Sequence, residues 1–320
     1  MRCRHIPRAE SRFRMSAHGV KMATMEAYEL DVSGVKILYV DGTAEYRRFE
    51  GWGLHLANSM SARVRTGLDD EFMQQLLSLA ATRPPPEGPH FVYEAAPDLF
   101  LGRRGRGPLY VTWDTGLLID YFEHGSALWQ GDGLPDSIEQ KYVAELEGLQ
   151  LLLSLWVVRD IRFMILPDSI DDAKKRLSPE RRGERLRAFK QFASALRLVE
   201  SGEPGVDIPS RYGLLILPQS LLQHALAGVP LGFDRRLVEA AVRHGAHVFL
   251  TRDEKVLRTR DALRPFGLLV ATPLDVVEEL FGCGAFHCLL DARYAYWPLP
   301  DQQRVGHLIH ALLSAHNPEP

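Results

Sequence analysis

Residues 233–257 read FDRRLVEAAVRHGAHVFLTRDEKVL, and this stretch decides the fold. From Asp234 onward, its apolar residues recur at the spacing of one helical face. Gly245 is predicted to end that helix, because glycine adopts the left-handed C-terminal conformation without steric cost. The apolar run 246–250 then has the length and content of a buried parallel strand, and Asp253 follows it directly. In open α/β sheets, ligand sites collect at such strand ends.

A second strand followed by an acid lies upstream, where residues 109–121 read LYVTWDTGLLIDY. Asp114 follows the apolar run, and Thr115 begins an apolar helix. Further strands are predicted at 161–166 and 267–272, and a third candidate at 214–217. Because helical patterns alternate with these strands, the sequence predicts an α/β fold with a mainly parallel sheet and helices on both faces.

The predicted helices are amphipathic segments between and after these strands. Ser169 is expected to cap the helix that begins near Ile170. The helices are expected at 115–123, 137–158, from about 170, at 179–201, 234–244, 254–263, 273–281 and 302–316.

The composition is that of an ordinary globular protein, with 320 residues, 46% hydrophobic and 25% charged. The net charge is only −3, so a nucleic-acid surface would have to be local. Three cysteines form no even disulfide framework. No apolar run reaches the ~18 residues of a membrane-spanning helix, so we expect no membrane association and a cytoplasmic protein.

The chain divides into four predicted regions. Residues 1–26 are arginine-rich without the apolar core of a secretory signal, which favours a disordered basic tail. Residues 27–105 are predicted to form a small α+β extension of unknown role, and 106–282 the main α/β domain. Residues 283–320 hold an aromatic cluster followed by a helix.

The stretches 109–121 and 233–257, with Asp114 and the sequence TRDEKVL, resemble the two halves of a PIN domain. This is the nuclease fold of VapC-type toxins and related metal-dependent ribonucleases. The resemblance covers roughly 109–281 and implies a three-layer α/β/α sandwich. It also implies an endoribonuclease that uses Mg²⁺ or Mn²⁺ to hydrolyse RNA phosphodiester bonds. Hard cations of this kind prefer carboxylate and water oxygens.

The resemblance assigns catalysis and metal binding to four acids. Asp114, Asp234 and Asp253 match the pattern at the first strand, the late helix and the following strand. Taken alone, Asp114 is also consistent with a cap of the helix that starts at Thr115, and Asp234 with a cap of the helix that starts at Arg235. The fourth acid belongs in the helix after the second strand, where the family usually has glutamate, and there we expect Asp172, with Asp171 as the alternative. Glu145 and Glu147 form a rival pair that precedes that strand.

Hydroxyl and basic side chains near these acids complete the expected site. Thr115 and Thr251 are expected to support the metal ligands, and the alternative for Thr251 is an ordinary buried hydroxyl at a strand end. The basic segment from Lys174 to Arg197 is either an RNA-binding flank or a solvated helix face. The residues expected to contact RNA are Lys174, Lys175, Arg182, Arg185, Arg252 and Lys255.

The expected partners are RNA, an antitoxin-like protein and a second copy of the chain, all implied by the resemblance. A second hypothesis is a PIN-fold scaffold that binds RNA or protein without catalysis. A third, another α/β phosphate-handling enzyme such as a phosphatase, is disfavoured because the sequence has no phosphate loop of the GxxxxGK[ST] kind.

Overall fold

The computed structural model describes residues 27–32, 35–40, 88–130, 133–156, 159–176, 182–200, 218–285 and 302–316. The predicted basic tail, the candidate strand at 214–217, most of the predicted extension and the aromatic cluster after residue 285 lie outside these ranges.

The described residues form two short antiparallel strand pairs and one parallel sheet. β1 (Ala27–Val32) and β2 (Val35–Val40) pair antiparallel. β3 (Phe91–Val92) pairs antiparallel with β4 (Arg106–Gly107). The main sheet consists of β5 (Leu109–Trp113), β6 (Ile161–Met164), β7 (Val248–Leu250) and β8 (Leu269–Ala271).

Helices account for most of the remaining described residues. In chain order they are α1 (Pro97–Phe100), α2 (Thr115–Gln130), α3 (Gln140–Leu155), α4 (Pro167–Arg176), α5 (Arg182–Leu196), α6 (Gln219–Leu226), α7 (Phe233–Arg243), α8 (Glu254–Leu257), α9 (Arg260–Leu263), α10 (Pro273–Gly282) and α11 (Gln302–His316). In the described ranges, no helix has the length and apolar content needed to cross a membrane.

The main sheet is entirely parallel, with strand order β6-β5-β7-β8. The chain passes from β5 to β6 on one side, then returns to place β7 on the other side of β5. The strand order therefore reverses between β5 and β7. Loops at the carboxyl ends of these two strands diverge to opposite sides and leave a crevice between them.

Each face of the sheet is covered by its own hydrophobic core. Trp113 and Leu250 point to one side, where they pack with apolar residues of α2, α3, α5, α10 and α11. Phe249 and Val270 point to the other side, where they pack with residues of α6 and α7. Alternate residues of a strand face opposite sides, so these runs must be apolar throughout. The α/β class and the parallel sheet are as predicted, and the layering is compatible with a three-layer sandwich.

The β3–β4 hairpin packs on the main sheet. Phe91, Leu99 and Phe100 belong to the same core as Trp113. The backbone N–H of Asp160 donates to the carbonyl of Pro89 at 2.9 Å, which ties the start of this segment to the loop before β6. The predicted boundary between the extension and the main domain, at residue 105, falls between β3 and β4.

Some helix boundaries differ from those predicted. α4 begins at Pro167, so Ser169 lies inside the helix, is fully buried, and does not cap it. Proline is common in the first helical turn because the N–H groups of that turn have no acceptor within the helix. The helix predicted at 254–263 is two short helices, and the Thr259 hydroxyl donates to the Val256 carbonyl at 2.6 Å between them.

Candidate functional site

A polar pocket of about 350 Å³ lies at the carboxyl ends of β5 and β7, where the strand order reverses. Asp114, Asp234 and Asp253 all line it, together with Thr251 and Arg252. The three aspartates come from three different chain segments, and the fold brings them to one cavity. This is the position that the parallel-sheet topology favours for a ligand site.

Asp114 is held by bonds to both of its carboxylate oxygens. The backbone N–H of Leu117 donates to Oδ1 at 2.7 Å, so Asp114 caps the start of α2. The Thr251 hydroxyl donates to Oδ2. The two hydrogen bonds orient the Asp114 side chain. This side chain is half-buried and lines the pocket.

Thr251 connects the ends of β5 and β7. It is fully buried, and its hydroxyl accepts a bond from the Asp253 backbone N–H at 3.0 Å while it donates to Asp114. Because one hydroxyl makes both contacts, the positions of the two aspartates are coupled. Thr251, which the sequence predicts to support metal ligands, therefore contacts both aspartates at the pocket.

Asp253 also caps a helix. Its Oδ1 accepts from the Lys255 backbone N–H at 2.8 Å and closes the first turn of α8. For Asp114 and Asp253, capping and a place in the pocket therefore coexist. A cap occupies one carboxylate oxygen and leaves the other for a further contact.

Asp234 lies in the first turn of α7 and lines the pocket. The cap of this helix is Gly232, with φ of 120°, so the interpretation of Asp234 as the cap is wrong. Only glycine adopts such a positive φ readily. A carboxylate in the first turn is stabilised by the positive end of the helix dipole.

Asp172 does not line the pocket, although it lies on an adjacent helix. It is only 6% exposed. On the same face of α4, Asp168 pairs with Arg236 at 2.8 Å and the Lys175 ammonium lies 4.3 Å from the Phe233 ring centre. Because residues spaced by four and three share a helix face, Asp172 is directed toward the start of α7.

Asp171, the alternative to Asp172, does not line the acidic pocket either. Its side chain is 60% exposed and pairs with the Lys174 ammonium at 2.7 Å, which lowers the pKa of Asp171. The rival Glu145 on α3 is also elsewhere: its carboxylate accepts from the Leu274 backbone N–H at 3.1 Å, at the start of α10. Glu147 is buried on the same helix α3, and neither glutamate lines the pocket.

Tyr142 and Asp120, which the sequence analysis did not predict, hold Arg252 at the edge of the pocket. Its guanidinium lies 3.7 Å from the Tyr142 ring centre and pairs with Asp120 at 3.0 Å. The Tyr142 hydroxyl donates to the same Asp120 carboxylate. Tyr142 and Asp120 lie on α3 and α2, so no local motif in the sequence could have indicated this contact.

The other described basic residues that are predicted to contact RNA are not among those that line the pocket. Lys175 contacts Phe233, the residue before Asp234. Arg185 pairs with Glu123 on α2, while Lys255 is exposed on α8. The side chain of Arg182 lies outside the described part of the structure. Thr115 is buried at the start of α2, and its hydroxyl has no hydrogen-bond partner among the described residues.

The pocket suits a hard divalent cation in its donor chemistry, because it offers carboxylate and hydroxyl oxygens. Among the described residues, no three His, Cys, Asp or Glu side chains converge closely enough to enclose a metal ion. Mg²⁺ does not require such a cage, because it retains water ligands and uses one or two carboxylates plus substrate phosphates. The open, acid-lined pocket fits this mode of binding.

No family model, curated protein or solved structure matches this chain in comparisons with known proteins.

Proposed function

We propose that this protein is a PIN-type endoribonuclease that hydrolyses RNA phosphodiester bonds with Mg²⁺ or Mn²⁺. The observation that supports this function is the pocket between β5 and β7, which Asp114, Asp234 and Asp253 all line. Carboxylates that line one cavity repel each other, and a bound divalent cation would offset that repulsion in addition to Arg252, which lines the same pocket.

In this mechanism, Asp114, Asp234 and Asp253 hold the cation. When bound, the metal polarises the phosphoryl oxygen and lowers the pKa of water. Thr251 keeps Asp114 and Asp253 in a fixed relation through its two hydrogen bonds. Arg252, fixed on Tyr142 at the rim, is placed to contact an RNA phosphate.

Asp172 is proposed as the fourth acid. Its burial and its position between Asp168 and Lys175 on the face toward α7 support this assignment over Asp171. Aspartate reaches one methylene less far than the glutamate usual in the family. A role in orienting groups near Asp234 would therefore suit Asp172 better than direct ligation.

A second candidate function is an inactive PIN-fold scaffold that binds RNA or protein. The observation that favours it is that no three potential metal-ligating side chains converge in the described residues. The two functions differ in one measurable property, since only the nuclease requires a divalent cation to act on RNA.

The test combines Mn²⁺ titration calorimetry with an RNA cleavage assay. The variants are Asp114→Asn, Asp172→Asn, Asp234→Asn and Asp253→Asn, with Asp136→Asn as a matched control. Asp136 is exposed and does not line the pocket. Circular dichroism establishes that each variant folds.

The nuclease function predicts that wild type and Asp136→Asn bind Mn²⁺ and cut RNA, whereas the three pocket variants lose both properties. If Asp172→Asn behaves like the control, the site contains three acids. If wild type neither binds Mn²⁺ nor cuts RNA, the nuclease function is wrong. RNA binding that persists under those conditions would instead support the scaffold.

A further inference from the structure

A second cavity, of about 710 Å³, lies between α4, α5 and α7. Lys174 and Lys175 from α4, Leu186 from α5 and Phe233 from α7 line it, together with Asp171. Phe233 directly precedes Asp234, which lines the acidic pocket. The linings of the two cavities therefore include adjacent residues in the first turn of α7.

Phe233 is the centre of a cationic cluster in this cleft. The Lys175 ammonium lies 4.3 Å and the Arg236 guanidinium 4.2 Å from its ring centre. Cations at this distance are attracted to the ring quadrupole. The aromatic ring thus keeps two flexible cationic side chains together, while part of it still lines the cleft.

The charge of the cleft is net positive. Asp171 pairs with Lys174, and Asp168 pairs with Arg236. Lys190, on α5, is close enough to act electrostatically on Asp171. Among the residues that line the cleft, Lys174 and Lys175 are cationic and Asp171 is anionic, in a chain whose overall net charge is −3. This local reversal of sign favours a polyanionic ligand.

The cleft also offers an apolar wall. Leu186 of α5 and Phe233 of α7 both line it, as do the two lysine side chains. A ligand that suits such a surface has planar apolar groups joined by phosphates. Single-stranded polynucleotides have this pattern, since their unpaired bases stack on aromatic side chains while their phosphates contact Lys and Arg.

We infer that the cleft between α4, α5 and α7 binds a single-stranded segment of polynucleotide beside the acidic pocket, with a base against Phe233 and phosphates at Lys175 and Arg236. This inference relies on the proposed nuclease function for the direction of the strand, from the cleft toward Asp234. It assigns binding roles to Phe233, Arg236 and Leu186, which the sequence alone did not single out. A duplex cannot present a base in this way, because its bases are paired and stacked.

The test measures binding in EDTA, where cleavage cannot interfere. Fluorescence anisotropy of a short labelled oligouridylate gives the affinity of the full chain for the single strand. Phe233→Leu keeps the apolar volume but removes the ring, Phe233→Tyr retains the ring, and Lys175→Gln removes one cation. Arg243→Gln is the matched control, because it removes a cation from the far end of α7, where Arg243 pairs with Glu239.

We expect Phe233→Leu to weaken binding about fivefold or more, the lower range for loss of one base–aromatic stack. Phe233→Tyr and Arg243→Gln should bind like wild type. Lys175→Gln should also reduce the slope of log affinity against log salt by about 0.7, the value for one single-strand phosphate contact. An oligouridylate duplexed with oligoadenylate should bind more weakly than the single strand.

The inference is overturned if Phe233→Leu and Lys175→Gln both bind as wild type does, or if the duplex binds as tightly as the single strand. Binding through the cleft without Mn²⁺-dependent cleavage would preserve this inference and contradict the proposed nuclease function. If wild type cuts RNA with Mn²⁺ and the cleft variants bind the oligouridylate as tightly as wild type, the nuclease function is supported and this inference is contradicted.

Discussion

Thr251 donates a hydrogen bond to Asp114 across the β5–β7 pair, so a buried hydroxyl fixes an acidic side chain that the sequence places 137 residues away. The same hydroxyl accepts from the Asp253 N–H. The site therefore depends on one polar side chain at the end of a three-residue strand. This dependence can be measured.

Thr251→Val should weaken both folding and metal binding. Valine has a similar shape but leaves the Asp253 N–H and one Asp114 oxygen without their present partner, at a cost of about 1–3 kcal/mol in unfolding free energy. Thr251→Ser keeps the hydroxyl and should remain close to wild type in metal affinity. Urea unfolding and Mn²⁺ calorimetry measure the two effects. Equal metal affinity in Val and Ser variants would show that Thr251 does not organise the site.

Substitutions at Asp253 separate its two roles. Asp253→Asn retains an oxygen for the Lys255 N–H, so the free energy of unfolding should change little. Asp253→Ala removes the cap and should cost about 1 kcal/mol. Both variants lose the negative charge, so both should lose the rise in melting temperature that Mn²⁺ gives wild type. A metal-induced rise that persists in the Asn variant would argue against ligation by this carboxylate.

Two substitutions at Tyr142 test whether the contact with Arg252 positions RNA. Tyr142→Phe keeps the ring beneath the guanidinium but removes the bond to Asp120, whereas Tyr142→Leu removes both contacts. We expect KM for RNA cleavage to rise about two- to fivefold in the Leu variant, in line with about 0.5–1 kcal/mol for an exposed cation–π contact. The Phe variant should show a smaller rise. A fall in kcat with unchanged KM would contradict a positioning role.

The difference in unfolding free energy between Glu145→Gln and wild type should depend on pH. Burial is the main influence on Glu145 and raises its pKa, although the Leu274 N–H lowers it in part. A raised pKa means that the folded state binds the proton more tightly, so ionisation above that pKa opposes folding. Glutamine avoids this cost while its amide oxygen can still accept from Leu274.

We therefore expect Glu145→Gln to be more stable than wild type at neutral pH. The difference should shrink as the pH falls through the raised pKa and vanish below the ordinary glutamate pKa of about 4.3. Urea unfolding over a pH series measures it, with the exposed Glu278→Gln as control. A variant that is less stable than wild type at neutral pH would mean that the ionised carboxylate helps to hold α10.

Local patterns in the sequence predicted much of the fold. The strand at 109–113 and the helix at 302–316 have the predicted limits, and Gly245 has the positive φ of 71° expected after α7. These features depend on periodicity and on backbone conformation, which neighbouring residues determine. Predicted helix boundaries differ from those of the structure where local patterns compete. One example is Pro167, where the helix begins ahead of Ser169.

By itself, the sequence determined an α/β chain with parallel strands and with aspartates at the strand ends and at the start of the late helix. Only the tertiary structure decided that β5 lies between β6 and β7, which makes Asp114 and Asp253 neighbours and sends Glu145 to α10. It alone placed Tyr142 under Arg252. Strand order and contacts between helices arise from packing between segments far apart in the chain, and local periodicity has no information about which segments become neighbours.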